Sequence, residues 1–229
     1  MMAPTIAKMY KAEDILIVGD SFCVNRKLET DWPVHLSTKL TGEYTIPRGK
    51  GFGGCHWWSV RRCLLEEVNK APVKVLIICH TDPHRLWSER DLALNLGTVM
   101  NDSAQLVQNS IQPYSPDITE EAIRIKEAAK AYYENLYIPA FHDWLAQRWY
   151  YELEEIIKNK QIEKVVHLRC FRNQEYIFKE GVTVKNVLND RGLKGERNHY
   201  PAEINVKLSE EIYKIVISEV KKGLVNIDF

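Results

Sequence analysis

The sequence predicts an α/β fold, a parallel β-sheet covered by helices on both faces. Short continuous apolar runs such as "DILIVG" and "VKVLIICH" suit strands buried on two sides. Segments with helical apolar spacing lie between those runs. The 229 residues, 45% of them hydrophobic, contain no repeat and no glycine-serine linker, so residues 1–229 read as a single domain after a short N-terminal extension at 1–12.

The elements follow in order. "DILIVG" is the first strand and "EYTIPRG" the second candidate. Between them, Asp31 followed by Trp32 and Pro33 opens a helix that should stop near Gly42. A second helix runs from Trp57 to Asn69, with Val60, Leu64 and Val68 inward, and "VKVLIICH" is the third strand. Asp117 and Glu120 form a capping box before a helix whose Ile125, Ala129, Tyr132 and Leu136 share a face. Leu145, Trp149, Leu153 and Ile156 mark the next helix. "EKVVHLRCF" and "GVTVKNVL" are further strands, and Pro201 opens a last helix lined by Leu208, Ile212, Ile215 and Val216.

Composition narrows the function. Lysine plus arginine balances aspartate plus glutamate at 31 each, so the basic excess of a large nucleic-acid footprint is missing. The apolar run near the N-terminus is too short for a signal-peptide core, and no segment approaches a membrane span, which predicts a cytoplasmic protein. Five scattered cysteines without a C-x-x-C pair predict reduced thiols and no structural zinc.

In parallel sheets, ligands gather at the carboxyl ends of the strands. Ser21 stands there, in "GDSF", directly after the first strand. On its own the tripeptide reads first as a strand end with a helix cap, and a serine needs a neighbouring base to become a nucleophile. Of the seven histidines, His35, His56 and His142 lie on or beside helices, and His167 lies inside a strand. His80 and His84 flank a proline without a third metal ligand. His199, in "KGERNHYPAEIN", sits in a polar loop three residues after Glu196, a spacing that can fold a carboxylate onto the imidazole. The same loop carries a competing carboxylate, Asp190. Gly49, Gly51, Gly53 and Gly54 precede a helix and can bring backbone N–H groups to an oxyanion or a phosphate, although the loop fits no nucleotide-binding pattern.

Taken in this order, "GDSF", the glycine turn and the carboxylate-x-x-His loop resemble the SGNH (GDSL-type) hydrolase superfamily, from Ile15 to about Val220. The Gly-Asp-Ser-Phe start and the Thr-x-Pro-x-Arg segment from Thr81 to Arg85 are similar to short phage-encoded members. The resemblance implies a flavodoxin-like, three-layer α/β/α sandwich and ester hydrolysis through an acyl-enzyme, without metal or organic cofactor. It implies Ser21 as nucleophile and first oxyanion donor, Gly53 (or its neighbour Gly54) as second donor, His199 as base and Glu196 as the orienting acid.

Two positions depart from the family pattern. Thr81 stands where the family has an oxyanion-binding asparagine, and Glu196 where it more often has aspartate. Losing one such donor costs about 10²–10³ in rate. Asp20 reads as a hydrogen-bond acceptor at the strand end, and with Arg85 and Trp87 as a candidate for substrate contact. Residues 86–118 read as a lid or substrate-lining insertion. Of Trp57 and Trp58, one should point inward and the other border the site or a dimer contact. The expected partner is a small-molecule or carbohydrate ester, with no nucleic acid and no membrane. The rival readings are a binding protein on the same fold, a nucleotide or phosphate protein, and an acyltransferase.

Overall fold

The computed structural model describes residues 9–24, 31–52, 55–88, 94, 96, 99, 119–171, 176–185 and 202–227. Among them are six strands, β1 (Ile15–Asp20), β2 (Gly51–Phe52), β3 (Val75–His80), β4 (Lys164–Arg169), β5 (Gly181–Lys185) and β6 (Lys222–Asn226). Five α-helices accompany them, α1 (Trp32–Thr41), α2 (Trp57–Lys70), α3 (Thr119–Asn135), α4 (Pro139–Asn159) and α5 (Ala202–Ile217). The strands form one sheet in the order β2-β1-β3-β4-β5-β6, every pair parallel. The α/β class and the parallel sheet expected from the sequence are therefore present, in an order consistent with a flavodoxin-like fold.

Alternation along the strands divides the core in two. Ile15, Ile17, Val75, Ile77, Val166 and Leu168 pack with Trp32, Leu36 and Leu40 of α1 and with Leu208, Ile212 and Val216 of α5. Leu16, Val18, Leu76, Ile78 and Val165 pack with Val60, Leu64 and Val68 of α2 and with Trp149, Leu153 and Ile157 of α4. Burial on both sides explains why β1 and β3 are written in unbroken aliphatic residues.

Helix limits follow local chemistry. Proline fits the first turn of α1, and Gly42 ends it in the left-handed conformation, φ 74°, its N–H donating to Thr38 O. Two expectations need correction, and one strand was missed. The second strand is Gly51–Phe52 rather than "EYTIPRG": Pro47 has no N–H for a ladder, and only Arg48 bridges to β1 ahead of the strand. β6 went unforeseen because its residues are largely exposed, so it lacks a buried strand's apolar run. Leu136 lies beyond the end of α3 and is exposed, whereas Ala129 on the same expected stripe is buried.

Glycine sets the spacing at the sheet's β1 edge. Gly19 has φ 148°, and a Cβ there would stand 2.2 Å from Cys79 O on β3. Gly49 has φ 81°, and its Cβ would meet Ile17 O at 2.4 Å; at Gly51 it would meet Val24 N at 2.6 Å. These glycines of the "PRGKGFGG" turn thus serve close backbone packing against β1. Gly19→Ala is expected to lower the denaturant midpoint by the equivalent of roughly 2–4 kcal/mol, through strain and steric overlap with β3. Equilibrium urea unfolding would check it.

Candidate functional site

Strand order reverses direction between β1 and β3, and the carboxyl ends of those two strands bound the crevice where such sheets bind ligands. The residues leaving β1 and β3 meet there. Asp20, the last residue of β1, is 0% exposed. Its carboxylate forms a buried ion pair with Arg85 Nη1 and accepts from Thr81 Oγ1 at 3.0 Å. Thr81 Oγ1 also lies 2.6 Å from Cys55 O, an acceptor just ahead of α2. Arg85 Nη1 donates to Thr81 Oγ1 at 2.9 Å and to Cys55 O at 3.2 Å. One cluster thus ties the end of β1, the loop after β3 and the entry to α2.

Aromatic rings close this cluster from one side. The Arg85 guanidinium lies 4.8 Å from the Phe171 ring centre, and Phe171 meets Phe22 edge-on at 5.9 Å. Phe22 belongs to the 3-10 turn Ser21–Cys23 that leaves β1. That turn is held at two further points, Trp32 Nε1 donating to Phe22 O at 2.7 Å and Cys23 Sγ to Asp20 O at 3.2 Å. The Ser21 backbone is therefore carried on a short, well-anchored turn at the carboxyl edge of the sheet. The Ser21 side chain, Gly53, Gly54, Asp190, Glu196 and His199 lie outside the described residues.

A hydroxyl has one proton, and the acceptors Asp20 and Cys55 compete for that of Thr81. Asp20 and Arg85 form a buried pair with each other. Trp87 is 39% exposed and not a core residue. Of the 86–118 insertion, Leu86 forms a bridge with Leu94, and most of the rest lies outside the described residues.

Sequence reasoning gave His56 no chemical role. It caps α2, and its Nδ1 accepts from Trp58 N–H at 3.1 Å, which puts the ring proton on Nε2. Burial, with help from His142 and Arg85 nearby, pushes its pKa down to about 3. The result is an uncharged N–H donor directly after Cys55. The only advance signal was the position of a histidine between a glycine turn and a helix start.

Deeper in the sheet, His167 Nε2 donates to Glu180 O at 2.9 Å, so its Nδ1 accepts from His80 Nε2–H at 3.0 Å. The His167 ring stacks on Phe178 at 3.7 Å. Burial brings His167 to about 3 and holds His80 well below the usual range, so both are neutral. The loop after β3 is pinned on its far side as well. His84 Nε2 lies 2.7 Å from Asp143 Oδ1, Tyr137 OH 2.5 Å from His84 Nδ1, and Tyr133 OH donates to His84 O at 2.8 Å.

Among the described residues no group of three or more His, Cys, Asp or Glu side chains could hold a metal ion, and no helix is long and apolar enough to cross a membrane. All five cysteines are free and buried. Compared with known proteins, the chain matches no family model, no curated protein and no solved structure.

Two outcomes follow. Arg85→Met should destabilise the fold by about 3–5 kcal/mol by leaving the buried Asp20 carboxylate without its cation, and adding Asp20→Asn should recover part of that loss, as a double-mutant cycle in urea would measure. The neutral histidines set a pH dependence. Unfolded imidazoles take up protons below pH ~6.5 while the buried rings resist until about pH 3. Stability therefore falls as pH drops through that window. Thermal melts at pH 7.5 and 5 should show it, with a shallower dependence in His167→Gln.

Proposed function

We propose that this chain is a serine hydrolase of the SGNH type, a three-layer α/β/α protein that cleaves an acetyl or short-acyl ester of a sugar or small molecule. The observation that carries the reading is the meeting of two motif stretches distant in sequence. The Gly-Asp-Ser-Phe turn and the Thr-x-Pro-x-Arg loop are joined through Asp20, Thr81 and Arg85 at the switch point of a parallel sheet.

In this reading Ser21 Oγ attacks the ester carbonyl while His199 takes its proton, with Glu196 orienting the imidazole. The Ser21 and Gly53 N–H groups bind the oxyanion, and the neutral His56 Nε2–H supplies the further donor that Thr81 does not. His199 then protonates the departing alcohol, and water, deprotonated by the same histidine, releases the acid. Asp20 and Arg85 act as positioning residues that fix the turn on which Ser21 rides. The buried cluster needs no metal or organic cofactor for this sequence of steps.

One observation favours a second reading. With the Thr81 proton engaged by Asp20 and Cys55, the family's third oxyanion donor has no direct replacement at its own position, which suits a binding protein that keeps the fold and has lost efficient turnover.

A fluorophosphonate probe decides between them. The hydrolase reading expects labelling that disappears in Ser21→Ala, and turnover of activated acyl esters that rises with pH as an imidazole loses its proton. His199→Gln should lower that turnover by about 10²–10⁴-fold and flatten the profile. Absence of both labelling and turnover would sink the hydrolase and leave the binder. Product analysis with a competing alcohol separates hydrolysis from acyl transfer.

A further inference from the structure

Helix α4 has two apolar faces, and the sheet uses only one. Trp149, Leu153 and Ile157 enter the core. On another side of the helix Phe141, Trp144, Arg148 and Tyr151 recur at spacings of three and four, forming one stripe. The three rings are 50%, 49% and 45% exposed. They are also ordered. Phe141 and Trp144 stack at 6.2 Å with 16° between their planes. The Arg148 guanidinium lies 5.1 Å from the Trp144 ring centre and 6.0 Å from that of Tyr151. Leu136 and Ile138, just ahead of the helix, are exposed as well, and so is Trp58 on α2, with Arg61 over its ring. Arg61 is itself fixed by Glu152 through contacts of 2.7 and 2.6 Å. A contiguous apolar patch of this kind marks an interaction surface.

We infer that a second copy of this chain covers the stripe, the two α4 helices packing antiparallel across a two-fold axis near residue 146. In such an isologous contact, positions equally distant from the axis on either side face each other. Positions 141 and 151 are equally distant from 146, and so are 144 and 148. Phe141 therefore meets Tyr151 of the second copy, and the Arg148 cation meets the Trp144 ring of the second copy, with no cation set directly against its own image.

Other occupants fit less well. Glu152 and Glu155 flank the stripe's arginine, whereas a nucleic acid or other polyanion asks for a basic track. Half-exposed side chains of this size offer roughly 600 Å² per copy, the lower end of specific interfaces. The inference is independent of any role for Ser21.

Sedimentation equilibrium of the full chain from about 1 to about 200 µM tests it, a range that brackets micromolar dissociation. The expected result is a concentration-dependent dimer whose dissociation constant rises at least tenfold in both Trp144→Ala and Arg148→Glu. Both side chains are surface groups, and circular dichroism with thermal melts would verify that the variants fold. Geometry has its own readout. Phe141→Cys mixed with Tyr151→Cys should form disulfide-linked dimers faster than either variant alone, the native thiols being buried. A monomer throughout the range, a dimer indifferent to both substitutions, or equal cross-linking in the mixed and single samples would overturn the proposal.

Discussion

A carboxylate cut off from water at the end of β1 governs the organisation of this carboxyl edge. Asp20 has no solvent exposure, and an isolated ionised carboxylate in such surroundings would cost several kcal/mol. The structure meets that cost with Arg85 and Thr81, both drawn from the loop after β3. The loop cannot leave without stranding the charge. Its course, the entry to α2 through Cys55 O, and the bearing of the Ser21 turn are consequences of one desolvated group. Phe171 covers the guanidinium, with Phe22 edge-on against Phe171, and the low exposure of the pair strengthens the same electrostatics.

Such an arrangement needs close backbone approach as well as charge. Gly19, one residue before Asp20, has no room for a Cβ against Cys79 of β3, and its register partner on β2, Gly51, has none against Val24 and Asp20 O. With strands this near, Asp20 and Thr81 can share a hydrogen bond. The glycines that looked available for ligand contact at Gly49 and Gly51 serve this packing instead. His56, fixed as a neutral donor by a cap on α2, lies directly after the carbonyl that Thr81 and Arg85 share. A rigid strand edge and a helix start hold these groups, and no lone flexible loop has to do so.

Much of the fold was legible because burial on two sides leaves a plain mark. β1 and β3 are aliphatic runs, β4 carries Val165, Val166 and Leu168, and α1 has its own signals in Pro33 and Gly42. β6 was not legible, since an exposed edge strand needs no apolar run, and β2 was misplaced because Thr45 and Ile46 look like a strand until Pro47 is counted against the ladder. In the site, "GDSF" and "TDPHR" could each be picked out, and Asp20 could be read as a strand-end acceptor. Their joining could not. An ion pair between residues 65 positions apart leaves no local pattern, and a single threonine proton is assigned only when its acceptors are seen. The tautomer of His56 depends on one backbone N–H two residues on, which no spacing rule supplies.

The same helix that presents the aromatic stripe also restrains the candidate site. Asp143 lies between Phe141 and Trp144 in sequence and holds His84 at 2.7 Å, while His142 beside it meets Tyr132 OH at 2.8 Å. His84 and Arg85 are consecutive, so the contact to α4 and the contact to Asp20 pull on adjacent residues of one short loop. Any surface that stiffens the first turns of α4 thereby stiffens the segment on which the buried ion pair depends. A second copy seated on Phe141 and Trp144 would bear on those turns directly. Association at the stripe and the order of the crevice would share His84 as their point of contact.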